Sequence, residues 1–275
     1  MAAENPSLAV VYLLRKGGEA AFLDRFLESY RRMKEPRVHD LVVVFKGFEG
    51  PDKAPYAARL SGLPHVSMDV DDRGFDLGSY LEVARQCRYD RFCFLNTYSV
   101  ILASNWLHKL NAVFERRSNA GIVGASGSWE PIGPETPFPN YHIRTTGFLI
   151  SRALFLDLET WPMNEKRDAN LFEAGPNGVT RQILKRGLEP YVVDRDGEIF
   201  AKEAWSGPPI FRNAGQEKLL IGDNRTEAYD AADPETQVWL RNLAWSSEDA
   251  GPDPHKKRGL ARRFKKWRRA LRQGG

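Results

Sequence analysis

Two short apolar segments joined by an amphipathic helix constrain the fold of this chain more than any other feature. Residues 8–14 (LAVVYLL) and 41–45 (LVVVF) are rich in β-branched residues, which is typical of buried strands. Between them, large apolar side chains recur at helical spacing, at Phe22, Phe26, Tyr30 and Met33. A strand–helix–strand unit of this kind calls for parallel strands and a right-handed crossover. The sequence therefore predicts an α/β protein with a parallel sheet.

The same alternation continues along the chain, which predicts a large sheet with helices on its faces. Before residue 126 we expect a strand at 65–70, a helix at 77–88, a strand at 92–95, a helix at 105–116 and a strand at 121–124. Residues 127–140 contain several prolines and glycines and predict an irregular loop. After this loop we expect a strand at 146–150, helices at 153–158 and 179–186, a helix cap at Gly187, a strand at 190–194 and a turn at Asp196-Gly197.

Length and composition limit the class of protein. The chain of 275 residues suits one large domain with additions, and its 42% hydrophobic and 28% charged residues are typical of a soluble globular protein. Its two cysteines, Cys87 and Cys93, cannot build a disulfide framework and lack the spacing of a metal pair. The apolar segment 8–14 is too short to span a bilayer and lacks the flanks of a signal peptide. We therefore expect a cytoplasmic protein.

The carboxyl-terminal segment differs from the rest of the chain. Residues 256–272 contain ten Lys or Arg and no acidic residue, so the formal net charge of +4 leaves about −6 for the remainder. We expect a main domain at 1–245, a polar linker at 246–255 and a basic amphipathic helix at 256–275. The apolar stripe of that helix consists of Leu260, Phe264, Trp267 and Leu271.

Aromatic residues on one face and Lys or Arg on the other predict a helix that lies on an anionic membrane surface, here the inner face of the plasma membrane. Two alternatives remain open. The stripe could pack on the domain or on a partner, or the tail could bind nucleic acid without sequence specificity. The acidic remainder of the chain argues against nucleic acid, because it would repel phosphates.

Common cofactor and nucleophile motifs are absent from the sequence. No GxGxxG follows the first strand and no GxxxxGK[ST] is present, which argues against a dinucleotide fingerprint and against a phosphate-binding P-loop. Residues 124–127 (GASG) fall short of the GxSxG turn that carries a catalytic serine. The five histidines are scattered without metal-ligand spacing.

The segment 69–102 carries the strongest functional signal. Its apolar strand at 92–95 ends in four polar residues, Asn96, Thr97, Tyr98 and Ser99. In open α/β sheets ligands bind beyond the carboxyl ends of the strands, so these residues predict the floor of a ligand site. An ordinary turn in which Ser104 or Asn105 caps the next helix would explain the same residues.

The order of several segments resembles that of nucleotide-sugar glycosyltransferases of the GT-A type, particularly family 2. The segments are FDLGSYLEVARQ, YDRFCFLNTYS, SNWLHKLNAVF and AGIVGA, and the resemblance covers roughly residues 8–195. It implies a three-layer α/β sandwich with a mixed, mainly parallel sheet. It also implies transfer of a sugar from a nucleotide-sugar donor to a glycan or lipid-linked acceptor, in the synthesis of a bacterial surface polysaccharide. The alternative is a non-catalytic, membrane-docked binding or scaffold protein that kept the fold.

The sequence departs from that family at the DxD motif, whose carboxylates bind Mg²⁺ or Mn²⁺. The corresponding triplet is Asn96-Thr97-Tyr98, and these hard cations prefer anionic oxygen ligands. Three interpretations follow. Transfer could proceed without a metal, with Arg15 or Lys46 stabilising the diphosphate. The nearby acids Asp71, Asp72 and Asp76 could replace the missing ligands, or catalysis could be lost.

The resemblance also implies roles for individual residues. The donor would contact Arg15, Lys46, Asp71, Asp72, Asp76, Gly78, Ser79, Asn96, Thr97 and Tyr98. The acceptor or the diphosphate would contact His142, Arg144, Thr145 and Arg181, and residues 221–226 could close over the site. Glu173, expected near the start of a late helix, would be the general base of a single inverting displacement, with Asp168 and Glu165 as alternatives.

Each of these assignments has a structural alternative. Asp76 could cap a helix that begins at Leu77, and the acidic pair before it could be a solvated turn. Gly78 could serve tight packing between helix and strand. The polar residues at 141–146 could tie down the long loop that precedes them, and a glutamate near a helix start is favoured by the helix dipole.

Overall fold

The computed structural model describes residues 7–18, 20–247, 250, 251 and 254, and its centre is an eight-stranded sheet. The strands of the chain are β1 (Leu8–Arg15), β2 (Asp40–Lys46), β3 (Val66–Val70), β4 (Arg91–Leu95), β5 (Val100–Ile101), β6 (Ala120–Gly124), β7 (Gly127–Ser128), β8 (His142–Ile143), β9 (Gly147–Ser151), β10 (Glu189–Val193), β11 (Ile199–Ala201) and β12 (Ile221–Gly222). The short strands β5 and β12 pair with each other, as do β7 and β8.

The helices alternate with these strands over most of the chain. They are α1 (Ala20–Arg32), α2 (Ala54–Leu60), α3 (Phe75–Gln86), α4 (Trp106–Arg116), α5 (Arg152–Leu156), α6 (Lys166–Ala174), α7 (Val179–Lys185), α8 (Asn224–Asp230) and α9 (Pro234–Trp245), with 3₁₀ turns at Gly50–Lys53 and Lys202–Ala204. None of the described helices is long and apolar enough to cross a membrane.

The large sheet has the order β3-β2-β1-β4-β9-β6-β10-β11. Neighbouring strands are parallel except where β9 lies between β4 and β6 and where β11 pairs with β10. The predicted fold class, a three-layer α/β sandwich with a mixed, mainly parallel sheet, is confirmed. The strand order reverses between β1 and β4, because the chain runs outward from β1 to β3 and then returns to the other side of β1. Such a reversal opens a crevice at the carboxyl ends of the two strands.

Both faces of the sheet are covered, which gives the chain two apolar cores. Alternate residues of β1 face opposite sides, so that Val11 and Leu13 belong to one core and Val10 and Tyr12 to the other. The helices α3, α5, α6 and α7 cover the first face, and α1 and α4 cover the second. Seven of the eight residues of β1 are buried, as its unbroken apolar sequence predicts for a central strand with helices on both sides.

Two helix caps that were structural alternatives in the sequence are not formed. The helix expected at Leu77 begins at Phe75, because Gly74 and Phe75 both have positive φ and turn the chain sharply before it. Asp76 is therefore inside the first turn and is not the cap. At the start of α4, neither Ser104 nor Asn105 caps the helix with its side chain. Instead the Glu35 carboxylate accepts hydrogen bonds from the backbone N–H groups of Leu107 and His108, at 2.8 and 3.2 Å.

Several other predictions about local structure hold. The helix α7 ends before Gly187, whose φ of 75° provides the left-handed cap that was expected there. A turn with Gly197 at positive φ follows β10, as the Asp-Gly pair predicts. The predicted basic helix at 256–275, with Leu260, Phe264, Trp267 and Leu271, lies outside the described residues, as does most of the carboxyl-terminal half of the predicted linker.

Candidate functional site

A cleft of about 910 Å³ opens at the carboxyl ends of β1 and β4, where the strand order reverses. It brings together many residues that the sequence singled out from distant positions. Of the predicted site residues, the cleft is lined by Arg15, Asp76, Asn96, Thr97, Tyr98, His142, Arg144, Thr145 and Glu173. Its volume is that of a site for a substantial small molecule.

The floor of the cleft is a rigid turn after β4. The hydroxyl of Thr97 donates to the Leu13 carbonyl at 2.8 Å, and the hydroxyl of Tyr12 donates to the Thr97 carbonyl at 2.9 Å. The Asn96 Oδ1 atom accepts from the Tyr98 N–H at 2.9 Å and from a neighbouring serine hydroxyl at 3.1 Å. The side-chain oxygens of Asn96 and Thr97 therefore hold the turn in place, while the Tyr98 ring is 37% exposed at the cleft.

Two carboxylates form an acid pair in the wall of the cleft, Asp76 from the first turn of α3 and Glu173 from α6. Burial, followed by the negative charge of Glu173, raises the pKa of Asp76 to about 6. The Glu173 Oε1 atom accepts a hydrogen bond from the Thr145 N–H at 3.0 Å, which fixes this carboxylate against the loop before β9. A carboxylate such as Asp76, whose pKa lies near neutrality, can exchange a proton with a substrate group in the cleft.

The expected position of Glu173 within its helix is wrong. Glu173 is the penultimate residue of α6, because Gly175 and Pro176 end that helix immediately after it. The helix dipole therefore does not favour a carboxylate here, and its orientation comes from Thr145. The two alternative acids have a structural role: Glu165 and Asp168 form the capping box at the start of α6, where Asp168 accepts from the Glu165 N–H at 2.8 Å.

A buried histidine lies beside the acid pair. The Nδ1 atom of His142 is 2.8 Å from the Asn140 carbonyl, which can only accept, so Nδ1 carries the proton. Burial lowers the pKa of His142, and the charge of Glu173 opposes this change. The ring is therefore neutral at neutral pH and adds no charge to the cleft.

Arg144 lines the cleft and is held there in a buried network. Its guanidinium donates to the Asp223 carboxylate at 2.8 Å, and the Thr146 hydroxyl donates to the same carboxylate at 2.5 Å. Asp223 also caps α8 through the N–H groups of the first turn. Burial opposes ionisation of Asp223, but Arg144 and these hydrogen bonds outweigh it and hold its pKa below the usual value. The side chain of Arg144 therefore has one fixed orientation, with Cζ 3.8 Å from the centre of the Phe211 ring.

Arg212 is a second buried cation of the cleft, and the sequence analysis missed it. The residue is 8% exposed, and its Nη1 atom is 3.3 Å from the Glu130 carboxylate. Burial lowers the pKa of Arg212 to about 10, and the charge of Arg144 adds to this effect while Glu130 opposes it. Its guanidinium also contacts the Phe211 ring, at 4.9 Å. Nothing local in the sequence marks this position, because its burial depends on the packing of distant segments.

A smaller pocket of about 220 Å³ adjoins the cleft and shares Arg15 and Asp76 with it. Lys46 lies there, 1% exposed at the end of β2, and its amine donates to the carbonyls of Asp71 and Arg73 at 3.2 and 2.6 Å. Burial lowers the pKa of Lys46, and Asp72, at 3.7 Å, opposes that change. Lys46 therefore anchors the turn that leads into α3.

Four predicted residues line neither the cleft nor the smaller pocket. The Asp71 side chain pairs with Arg73 in an exposed turn. Gly78 and Ser79 lie within α3, where the Ser79 hydroxyl donates to the Phe75 carbonyl at 2.9 Å. Arg181 lines a separate depression beyond α7, where it contacts the Pro139 carbonyl at 3.2 Å. Only Asp76 of the three acids at 71–76 lines the main cleft.

The site does not fit Mg²⁺ or Mn²⁺. Within the described part of the chain, no group of three or more His, Cys, Asp or Glu side chains is placed to hold a metal ion. Asp72 is turned toward Arg15, with 3.5 Å between Nε and Oδ1. The side-chain oxygens of Asn96 and Thr97 are engaged in the turn after β4.

Cations outnumber carboxylates along the wall of the cleft. The cations are Arg15, Lys16, Arg144, Lys166, Arg212 and Arg225, and the carboxylates are Asp76, Glu130, Glu173 and Asp223. The sequence alone predicted a role for four of these ten residues and for none of the other six. Two of those six, Asp223 and Arg225, lie in the segment that was expected to close over the site. The arrangement can bind an anionic ligand and can remove a proton from it or from a second ligand.

A scan against models of known protein families found no match, and a search of curated protein sequences found none. The solved structures that are similar to this chain include two sugar transferases and a synthetase. The mannosyltransferase PcManGT from Pyrobaculum calidifontis, in complex with GDP-Man and Mn²⁺, is 13% identical with a TM-score of 0.47, over 76% of this chain and 60% of that one. The CMP:2-keto-3-deoxy-manno-octonic acid synthetase complexed with CTP is 10% identical with a TM-score of 0.45, over 66% and 87%.

The third structure is the galactosyltransferase LgtC in complex with donor and acceptor sugar analogs, which is 13% identical with a TM-score of 0.41. The alignment covers 55% of this chain and 60% of LgtC. The chain thus spans less than two thirds of the length of both sugar transferases. Similarity at this level leaves the activity to be argued from the site itself.

Proposed function

We propose that this protein transfers a sugar from a nucleotide-sugar donor to a hydroxyl of a glycan or lipid-linked acceptor. One observation carries the proposal: the acid pair Asp76 and Glu173 lies in a cation-lined cleft at the carboxyl ends of β1 and β4. A transferase of this kind needs a base for the acceptor hydroxyl and positive charge for the leaving diphosphate. The cleft offers both within a volume of about 910 Å³.

The donor would lie over the turn that follows β4. The cations Arg15, which ends β1, and Lys16, which follows it, would face the diphosphate. The exposed ring of Tyr98 offers a stacking surface for the nucleobase. Asn96 and Thr97 form the rigid floor beneath the ribose and the diphosphate.

The reaction would be a single inverting displacement. The oxygen of the acceptor hydroxyl attacks the anomeric carbon of the donor sugar, and Glu173 takes the proton of that hydroxyl. The bond from the anomeric carbon to the nucleoside diphosphate breaks at the same time. Asp76 is close enough for the two charges to interact, so the abstracted proton would be held by the pair of carboxylates. Fixed cations stabilise the negative charge that develops on the leaving group.

This transfer would not depend on a divalent cation. The DxD carboxylates of the resembled family are replaced by residues whose oxygens hold a turn, and the neighbouring acids do not gather around one point. Mg²⁺ and Mn²⁺ require several oxygen ligands around one position. The guanidinium groups of the cleft supply positive charge without that requirement.

The first experiment is a thermal-shift panel of UDP-, GDP-, dTDP- and CMP-sugars, each with Mn²⁺, Mg²⁺ or EDTA. We expect one nucleotide class to raise the melting temperature and the increase to persist in EDTA. No stabilisation by any donor would refute the proposal. Stabilisation that requires a metal would refute the metal-free mechanism alone.

The second experiment separates catalysis from binding. Glu173→Gln should abolish donor hydrolysis and transfer while the donor still raises the melting temperature, because the variant keeps the shape of the site. Glu28→Gln, at an exposed position on α1, is the matched control. Donor binding without turnover in the wild type would favour the alternative, a binding or scaffold protein with this fold.

Membrane attachment is a separate part of the proposal. We propose that the basic carboxyl-terminal segment binds the anionic surface of the plasma membrane and brings the cleft to acceptors of a bacterial surface polysaccharide. Flotation of the full chain with phosphatidylglycerol-containing vesicles tests this. Replacement of Phe264 and Trp267 by Ala should reduce binding, and equal binding by both proteins would contradict it.

A further inference from the structure

We infer that the region of the cleft around Arg212 binds an oxyanion, a phosphate or a carboxylate, carried by the acceptor. The inference rests on the proposed function, because it assigns the acceptor to the side of the acid pair opposite the donor. It adds a substrate class, acceptors that carry a negative charge. A neutral glycan would leave the positive charge of Arg212 without a complementary negative charge in this part of the cleft.

The charges of the cleft are arranged in a sequence from one side to the other. The charges that act on Asp76 are that of Glu173 in α6 and those of Lys46 and Arg15, which end β2 and β1. The charges that act on Arg212 are those of Glu130, Arg144, Arg225 and Asp223, and Asp223 already pairs with Arg144. Direct contacts give the same order, since Asp76 shares the smaller pocket with Arg15 and Lys46. Glu173 accepts from the Thr145 N–H at 3.0 Å, and the neighbouring Arg144 contacts the Phe211 ring that Arg212 also contacts. The acid pair therefore lies between the donor strands and the Arg212 region. An acceptor with its hydroxyl at the acid pair would extend toward Arg212.

The loop that holds Arg212 adopts a backbone that such residues seldom adopt. Arg212, Ala214 and Gln216 have φ values of 48°, 46° and 53°, in the left-handed region that favours glycine. The Asn213 side-chain amide donates to three successive carbonyls, and the Gln216 side chain accepts from the Arg212 N–H at 2.8 Å. Strain of this kind persists where the surrounding structure fixes it, which is common at ligand sites.

Arg212 lacks the acceptors that a buried guanidinium requires. A guanidinium has five N–H groups. Among the described residues, that of Arg212 contacts one carboxylate, with 3.3 Å between its Nη1 atom and Glu130 Oε2, and its Nε atom has no hydrogen-bond partner there. Arg144, which contacts the same Phe211 ring, is already neutralised by Asp223. A buried cation with so few partners is poorly compensated, and an added oxyanion would compensate it.

A second cation extends the region toward solvent. Arg225 lines the cleft in the first turn of α8 and has no carboxylate within ion-pair distance among the described residues. Guanidinium groups bind phosphate and carboxylate through paired hydrogen bonds, which selects these groups over chloride or a neutral hydroxyl. The two sources of such a group are a phosphate that links the acceptor sugar to a lipid and an acidic sugar of a glycan.

The test uses the full chain saturated with the nucleoside diphosphate that the donor panel identifies, so that the donor site is occupied. Inorganic phosphate is then titrated calorimetrically into wild type, Arg212→Gln and the charge control Arg85→Gln on the exposed side of α3. We expect Arg212→Gln to weaken phosphate binding at least tenfold and to change nucleotide affinity less than twofold. Arg85→Gln should bind phosphate as wild type does.

A second variant keeps the test informative if Arg212→Gln does not fold. Glu130→Gln removes the carboxylate that competes for Arg212, so phosphate should bind more tightly, an effect that a purely structural role would not give. A sugar 1-phosphate with a short lipid chain and a uronic-acid disaccharide, each offered with donor, then distinguish the two sources by which one accepts sugar.

The outcomes distinguish a failure of the proposed function from a failure of the proposed anion site. Wild type that binds no nucleotide refutes the proposed function. Nucleotide-saturated wild type that binds no phosphate, or variants that bind it equally, refute only the anion site. Loss of nucleotide and phosphate binding to the same extent in Arg212→Gln would place Arg212 at the donor diphosphate and overturn the inference.

Discussion

Replacing Asp76 by Asn should stabilise the fold while it reduces activity. The carboxyl group of Asp76 has a pKa raised from 3.8 to about 6, first by burial and then by the charge of Glu173. The folded protein therefore binds this proton more tightly than the unfolded chain does. The contribution of Asp76 to stability is therefore most favourable below its pKa in the unfolded chain, and it falls as the pH rises from about 4 to about 6.

The size of the effect follows from the shift in pKa. Each unit corresponds to 1.36 kcal/mol, so ionised Asp76 lowers the free energy of unfolding by about 3 kcal/mol above pH 6 as an upper limit. Asp76→Asn removes the charge. Its free energy of unfolding should therefore exceed that of wild type by almost nothing at pH 4 and by about 2–3 kcal/mol at pH 8. For a domain of this size that gain raises the melting temperature by roughly 5–10 °C.

The assay is urea denaturation of wild type and Asp76→Asn at intervals between pH 4 and pH 8. Asp90→Asn is the matched control, because Asp90 is exposed on the loop before β4 and the same substitution there should have little effect. Glu173→Gln is the second control. It removes the charge that helps to raise the pKa of Asp76, so the decline of stability with pH should be shallower in that background.

Two results would refute the reasoning. One is an Asp76→Asn protein no more stable than wild type at pH 8. The other is a gain of equal size at pH 4 and pH 8, which would attribute the effect to packing and not to charge. The transfer rate of Asp76→Asn should fall at least tenfold, since the acid pair would lose one of its two carboxylates.

Three further substitutions test other parts of the site. Asp223→Ala should lower the free energy of unfolding by about 3–5 kcal/mol in urea, because it leaves Arg144 buried without its partner. Gly127→Ala would place a methyl group 2.5 Å from the ring of Trp205, and we expect a loss of about 1–3 kcal/mol by the same assay. Lys46→Met should speed hydrogen exchange in the turn before α3 and weaken donor binding, whereas unchanged exchange would contradict its anchoring role.

The sheet could be predicted from sequence because its signal is local. The residues at 8–14 and 41–45 are apolar without interruption, which is what a strand covered on both faces requires. The position of Asn96 and Thr97 in the cleft followed from the same logic, because polar residues at the end of a buried strand must lie at the edge of the sheet. The position of β9 between β4 and β6 was not predictable in this way, since pairing order depends on contacts between distant segments.

Glu173 and Arg212 show two ways in which local reasoning falls short. Glu173 was identified as a candidate and expected near the start of a late helix, but it lies at the end of α6, a helix that was not predicted. Arg212 gave no signal at all. Its backbone has a positive φ without being glycine, and its burial comes from the packing of Phe211 and the contact with Glu130.

Three departures from ordinary protein chemistry converge on the cleft. Phe75 has the positive φ that turns Asp76 into the cleft, Asp76 is ionised beside Glu173, and Arg212 is buried with a single carboxylate partner. Each lowers the stability of the ligand-free fold, so none is explained by folding alone. Two of these costs are electrostatic, the repulsion between Asp76 and Glu173 and the buried charge of Arg212. A ligand that brings an oxyanion to Arg212 and a hydroxyl to the acid pair would reduce both. Binding of such an acceptor should therefore stabilise the protein more than a neutral sugar of the same size, and the difference should disappear in Arg212→Gln.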